Sequence, residues 1–467
     1  MKLKYKLKCC KIVVYTFFLC SVVSPVFAQK VEHSHGGDKH SHGYAHLDSL
    51  MRQFPDHKLL FASNVPDRVI LNLTEDPITS VAVNWRTSLN VSEGFIEYAK
   101  ATNGPEFREN PNSIKAVTES LIVAREDEPV VKANYHSGII KNLEPGQKYV
   151  YRVGAGGSWS EWFQVSMPGK DSPISFVYFG DAQNDVKSMW SRIIREAYHT
   201  MPNIDFMLHA GDLINRHDRD VEWGEWFHAG GFIHAQVPSV MTPGNHEYRD
   251  VKLSPQWRPQ FNLPKNGVPG LEETCYEINY PKMKVVSLDA EQIDESEFYR
   301  NAQAKWLDSL LTYNPKKWTV ITLHYPIYST KPNRDNIKLR DTFKPIFDKH
   351  KVDLVLQGHD HAYGRGTANN VAIGSSVKSK EAGTVYVVSV SGPKMYDMTY
   401  DDSWMERKAE NTQLFQVITV AEDLVHYKAF TGTGDLYDSF ILKKNGDQPN
   451  VLINQIPNTP ERRHIKE

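Results

Sequence analysis

The sequence predicts a layered α/β domain over residues 173–445, preceded by an all-β sandwich over residues 63–168. Three observations lead to this reading. Short alternating strands separated by turn residues fill the first region. Apolar runs alternating with helix-period segments fill the second, and polar residues able to bind metals directly follow those runs.

At the chain start, Lys2, Lys4, Lys6, Lys8 and Lys11 precede an apolar run from Ile12 to Val23 and then Val26-Phe27-Ala28. A basic start, a short apolar stretch and a small residue before the cut form a secretory signal, assigned to residues 1–28. The run falls short of the roughly 20 residues that span a bilayer. Export to the periplasm or the medium is therefore expected, with no membrane span after cleavage. Cys9, Cys10 and Cys20 lie inside the signal, leaving Cys275 as a lone, buried thiol with no intramolecular disulfide to form.

Residues 29–62 lack periodicity and hold His33, His35, His40, His42 and His46 among Gly, Ser and Asp. They read as a histidine-rich leader that either captures transition metals or is simply solvated, and no site is assigned there. In the sandwich, Val81, Val83 and Trp85 alternate, as do Tyr149, Tyr151 and Val153 beyond the Pro145-Gly146 turn. After the Pro168 to Pro173 linker, Ile174 to Phe179 reads as a buried strand. Val186, Met189, Trp190, Ile193, Ile194 and Ala197 then share a helical face.

Further strands are expected at Phe206–Ala210, Val237–Met241, Val285–Leu288, Thr319–Leu323, Val352–Leu356 and Thr384–Val390, with helices around Trp306–Leu311 and Leu339–Phe347 and a tail over 446–467. A chain of 467 residues with 40% hydrophobic content builds more than one core. A formal charge of −2 without long basic runs gives no nucleic-acid footprint.

The candidate chemistry sits at the strand ends: Gly180-Asp181, Gly211-Asp212, Gly244-Asn245-His246-Glu247, His324 and Gly358-His359-Asp360-His361. A single Gly-Asp after a strand is usually a turn and a helix cap. Five such fragments gathered on the rim where α/β sheets place ligands form a constellation. Carboxylates, a carboxamide and imidazoles together suit transition metals. Two ions about 3.5–4 Å apart, sharing a carboxylate, clamp a phosphate and acidify water, which points to phosphate-ester hydrolysis.

This order of motifs resembles the calcineurin-like metallophosphoesterases. With Val81-Ala82-Val83-Asn84-Trp85-Arg86-Thr87 and Leu143 to Val153 resembling a fibronectin/Ig-like sandwich, it is similar to the purple acid phosphatases from about Pro66 to about Phe430. The resemblance implies a layered β-sandwich metallophosphoesterase domain. It makes Asp212 the bridging carboxylate, with Asn245, His324 and His359 on the second metal and Asp181 and His361 on the first. It also sets His246 over the substrate phosphate as the proton donor.

Two positions depart from the family. Asn215 stands where the purple enzymes place the tyrosine that binds ferric iron, and Gln183 stands where the wider superfamily has a histidine. Gln183, Asn215, His217 or water remain to complete the first site. Two divalent ions (iron, zinc or manganese) are expected rather than a ferric centre. Among the loop residues Tyr325, Tyr328, Lys331, Asn333 and Arg334, Arg334 is the candidate phosphate clamp. His209 reads as a packed strand residue, and Tyr363 and Arg365 as supports of the site.

The expected function is hydrolysis of small phosphate monoesters by metal-bound hydroxide, with His246 protonating the leaving group. Two alternatives stand beside it: phosphodiester or nucleotide hydrolysis on the same metals, and a non-catalytic metal-binding surface protein.

Overall fold

The computed structural model describes residues 57–126, 128–367, 379–399 and 404–463. The signal assigned to 1–28 and the leader histidines from His33 to His46 lie outside the described residues. Among those described, no helix is long and apolar enough to cross a membrane.

Two sheets face each other around the main core. In the larger sheet the strands Ile174–Phe179, Phe206–Ala210 and Ser239–Thr242 run parallel. In the seven-stranded sheet, Met283–Ser287, Trp318–Thr322, Leu354–Gln357 and Val385–Val388 run parallel. Parallel neighbours need crossovers, and helices Glu297–Tyr313 and Ile337–Lys349 supply two of them.

Alternate residues of the second sheet divide between two cores. Val285, Val320, Leu354 and Leu356 meet the first sheet, whereas Val286, Ile321, Val355 and Tyr386 meet Leu307, Leu311, Leu339, Phe343 and Phe347 of the helices. Burial on both faces is why these strands read as unbroken apolar runs. Phe343 is fully buried in the second core, so truncating it to alanine would cost about 3–5 kcal/mol. Cys275 is buried in the same core, and that burial raises its thiol pKa.

The N-terminal sandwich pairs a sheet containing Val81–Thr87 and Glu128–Ile140 with one containing Phe95–Lys100 and Lys148–Ala155. Val81, Val83 and Trp85 face its core with Ile96, Tyr151 and Val153, as their alternation requires. The intervening Ala82, Asn84 and Arg86 are buried as well. The reason is tertiary: the strand Asp67–Leu73 pairs in parallel with Ser239–Thr242, in register Asn72 to Ser239, so the sandwich sheet continues the catalytic one. Its outer face is covered, with Asn84 Nδ2 donating to the Pro259 carbonyl at 3.2 Å.

Three expectations shift. Met189 is 37% exposed, while Val186, Trp190, Ile193, Ile194 and Ala197 are buried. The segment opens with a wide π-helical turn, Val186–Trp190, before the α-helix Ser191–Thr200, and the wider turn moves Met189 off the buried face. The leader ends earlier than residue 62, because His57–Leu60 is helical and Leu60 packs with Val131 and Val221. The supposed tail forms a strand, Gln448–Asn454, antiparallel to Leu436–Asn445 across a turn at Gly446 (φ 58°). The expected domain boundary falls at that turn.

Candidate metal centre

The strand-end motifs converge, and their glycines show how closely. A Cβ on Gly244 would lie 2.2 Å from Asp212 Oδ1, and one on Gly358 would lie 2.4 Å from Asp181 Oδ2. The ligand-bearing turns cross where only hydrogen fits. Asp181, Asp212, His359 and His361 also sit at φ 24°, 52°, 74° and 46°, in the left-handed region that non-glycine residues avoid. Strain of about 1–3 kcal/mol per residue, clustered in this way, marks a functional site.

Two donor groups form within 4.8 Å: Asp212, His324 and His359, and Asp181, Asp212 and His361. Asp212 belongs to both. Asn245 joins the first group, with its Oδ1 3.2 Å from His324 Nε2. His324 Nδ1–H donates to the Ala210 carbonyl and His361 Nδ1–H to the Lys394 carbonyl, each at 2.8 Å. A carbonyl can only accept, so each ring commits its Nδ1–H and aims Nε2 toward the carboxylates, the nitrogen that a metal ion would take in exchange for any proton on it.

The electrostatics fit a cation pair. Asp181 is pushed well upward by burial and by neighbouring Asp212, although the imidazolium of His324 opposes the shift, and its Oδ1 is buried without a hydrogen-bond partner. Burial would lower His324, but Asp212 overrides this and pushes it up to about 10. Asp212 is itself held well below the carboxylate range; burial raises it, and His324 and His246 outweigh that. Buried carboxylates repelling one another beside imidazole nitrogens are a donor set that metal ions satisfy.

Gln183 is the residue nearest to completing the first group. Its amide lies 2.9 Å from Asp212 Oδ2 and 3.0 Å from His361 Nε2, and its Oε1 is unpaired. Turned over, the amide presents that oxygen at the same place. Asn215 acts differently from the sequence expectation, because its main-chain carbonyl accepts from His246 Nδ1–H at 2.7 Å. The His217 ring stands by Asp218 at 3.7 Å and belongs to neither donor group. His246 Nε2 is left facing the bridge, 3.9 Å from Asp212 Oδ2.

Around the rim, Arg334 NH1 donates to the buried Asp360 Oδ1 at 2.6 Å, so part of this candidate clamp is already engaged. Asp360 also accepts from the amides of Thr330 and Lys331, fixing the loop. Asn333 adopts φ 59° in that loop. The Tyr325 hydroxyl donates to Glu291, and Tyr328 stacks on Trp404. Tyr363 and Arg365 tie the strand after His361 to Asp438 in the other sheet, so they brace the strand and touch no ligand. His209 packs among Phe179, Trp190 and Trp226, as a strand residue should.

Sequence reasoning gave no role to Lys394, Tyr396, Glu247 or Glu222. Tyr396 lies 4.5 Å from the His361 ring, with the ammonium groups of Lys331 and Lys394 over its own ring at 4.8 and 5.6 Å. Lys394 and Tyr396 follow the strand Val385–Val388, so the strand-end rule that located the other ligands also pointed to this loop. Glu247 accepts from the amides of Asp212, Leu213, Ile214 and Gly244, binding the two central motifs together.

Residues 66–167 match the family model "Purple acid Phosphatase, N-terminal domain", and residues 175–363 match "Calcineurin-like phosphoesterase". The chain is 24% identical over 325 residues to mouse (Mus musculus) acid phosphatase type 7, covering 64% of this chain and 70% of that protein. It is 26% identical over 339 residues to a purple acid phosphatase of Glycine max, covering 66% and 68%. The solved purple acid phosphatase PPD1 from yellow lupin (Lupinus luteus) seeds shares the fold with a TM-score of 0.66 at 19% identity, covering 82% of this chain and 75% of that one. The chain therefore belongs to the calcineurin-like phosphoesterases, joined to a purple acid phosphatase N-terminal domain, and is a hydrolase of phosphoric ester bonds.

Proposed function

We propose that this protein is an exported acid phosphatase that hydrolyses small phosphate monoesters at a pair of divalent metal ions. The observation that carries this reading is the sharing of Asp212 by two buried donor groups whose atoms all lie within 4.8 Å. Metal ions bound there would neutralise phosphoryl oxygens and lower the pKa of water.

The chain's own residues supply the rest. Asp212 would bridge, Asp181 and His361 would hold the first ion with Gln183 beside them, and Asn245, His324 and His359 would hold the second. His246 has its Nδ1–H fixed by the Asn215 carbonyl, so Nε2 is the nitrogen left facing the site, and in the imidazolium form its Nε2–H is the proton that the leaving oxygen takes. Lys394 and Lys331 over Tyr396, together with Arg334, line one flank of the site. A monoester dianion brings one more negative charge to that flank than a diester does, which favours monoesters. With Asn215 in place of a tyrosine, no phenolate adds anionic charge at the first ion, which favours iron(II), zinc or manganese(II) over a ferric centre. The signal at 1–28 supports export.

The test is metal analysis of the mature protein paired with rates on a panel of monoesters and diesters. Chelation should abolish turnover and a divalent transition metal should restore it. Full activity in a verified metal-free sample would end this reading.

A further inference from the structure

The loop that carries the bridging carboxylate is held by two buried acids. Glu247 takes the amides of Asp212, Leu213 and Ile214, and Glu222 takes those of Asn215 and Arg216 at 2.7 and 2.9 Å. Five successive amides are thereby committed, and this fixes the direction of the Asn215 carbonyl that accepts from His246 Nδ1–H. Glu247 belongs to the same motif as His246. Glu222 lies on a separate helix, Asp220–Gly230, and its other oxygen accepts from Arg219 NH1 at 3.1 Å.

Arg219 leads out of the catalytic domain. Its Nε donates to Glu128, which opens the strand Glu128–Ile140 of the N-terminal sandwich, and Arg125, which ends the strand Val117–Arg125, donates to Asp218. Arg125 and Glu128 face each other across the hairpin end, and Asp218 and Arg219 are neighbours in the loop. The result is a reciprocal quartet in which each cation of one domain meets an anion of the other. The partners are only partly exposed, with side-chain exposures of 31% and 28% for Arg125 and Asp218 and 9% and 18% for Arg219 and Glu128. Such pairs are screened less than surface ones and hold a defined geometry.

We propose that the N-terminal sandwich is a working part of the active site: its hairpin end, through Glu128 and Arg125, positions the Arg219–Glu222–Asn215 relay and so sets the tautomer and aim of His246. Glu128 and Arg125 are positioning residues that touch neither metal nor substrate. Without them, Arg219 can relax away from Glu222, the Asn215 peptide can rotate, and the imidazole loses the acceptor that fixes its proton on Nδ1. The inference rests on His246 being the leaving-group acid.

The experiment compares Glu128→Gln, Arg125→Gln and the double variant with wild type, with His246→Ala and with Lys132→Gln, a control on an exposed position of the same hairpin. Turnover is measured on aryl phosphates of graded leaving-group acidity, alongside metal content and thermal midpoint. The brace variants should keep two metals and a nearly unchanged KM. They should lose kcat by roughly 10-fold on poor leaving groups, the cost of removing an outer partner, and very little on good ones. Lys132→Gln should match wild type.

Histidine 15N spectra give a second readout that does not depend on the acid role. The protonated Nδ1 signal of His246 should persist in wild type and give way to mixed tautomers in Glu128→Gln. If His246→Ala shows the leaving-group dependence while the brace variants show none, or if the His246 signal is unmoved in Glu128→Gln, the positioning role is wrong. If His246→Ala shows no such dependence, the acid assignment fails instead, and the spectra alone decide whether the sandwich sets this ring.

Discussion

The His246 Nδ1–H donates to the main-chain carbonyl of Asn215 at 2.7 Å. Asn215 occupies the place of a metal-binding tyrosine in the enzymes this chain resembles, and here it contributes its backbone. The contact commits one ring nitrogen and turns Nε2 toward Asp212, 3.9 Å away.

His246→Ala should therefore keep both metals while lowering turnover by about 10²–10⁴, the range for losing a positioned proton donor. The loss should shrink for esters with acidic leaving groups, which depart as anions. A plot of rate against leaving-group pKa for wild type and variant checks this. Parallel lines would remove the acid role and leave His246 only as a phosphate contact.

The iron-loaded protein should lack the visible band that phenolate-to-iron charge transfer produces. Tyr325 is committed to Glu291 and Tyr328 is stacked on Trp404, so neither replaces the absent ligand. An absorption spectrum of the active, iron-reconstituted protein is sufficient. A strong visible band would mean that another tyrosine reaches the metal, and Tyr396, 4.5 Å from the His361 ring, would be the first to mutate.

Lys394→Met should weaken monoester hydrolysis and competitive inhibition by inorganic phosphate by roughly 10- to 100-fold, the worth of one charge-assisted contact. Diester hydrolysis should fall less. The measured quantity is the ratio of kcat/KM for a monoester and a diester sharing one leaving group. An unchanged ratio would mean that the cations on this flank do not select the substrate.

Gly358→Ala should disturb the first metal more than the fold. The new methyl would stand 2.4 Å from Asp181 Oδ2 and 2.9 Å from the Ala210 carbonyl, overpacking that costs about 1–3 kcal/mol. Metal titration should show one weakened site while the thermal midpoint falls by a few degrees. Wild-type affinity at both sites would show that the turn relaxes freely.

Much of this molecule was legible in the sequence, for physical reasons. Asp181, Asp212, His324, His359 and His361 all follow apolar runs, and parallel sheets bring the ends of such runs to one rim, so placing the runs brought these candidate donors together. Met189 was misread because a single wide turn shifts the helical period, and a hydrophobic pattern does not reveal an extra residue in a turn. Glu222 and Arg219 were invisible because their roles come from amides and a sandwich strand distant in sequence. Asn215 was judged by its side chain, whereas every residue carries the carbonyl that it uses here.

The most direct test of the shared-carboxylate centre is the metal content of Asp212→Asn measured beside wild type. The substitution removes the bridging charge with little change of volume, so two cations must then sit close together without it. Wild type should bind two ions per chain. The variant should approach one and lose more than about 10²-fold in turnover, beyond the cost of an ordinary outer partner. A variant that keeps two ions and near-normal turnover would contradict the assignment of Asp212 as the bridge.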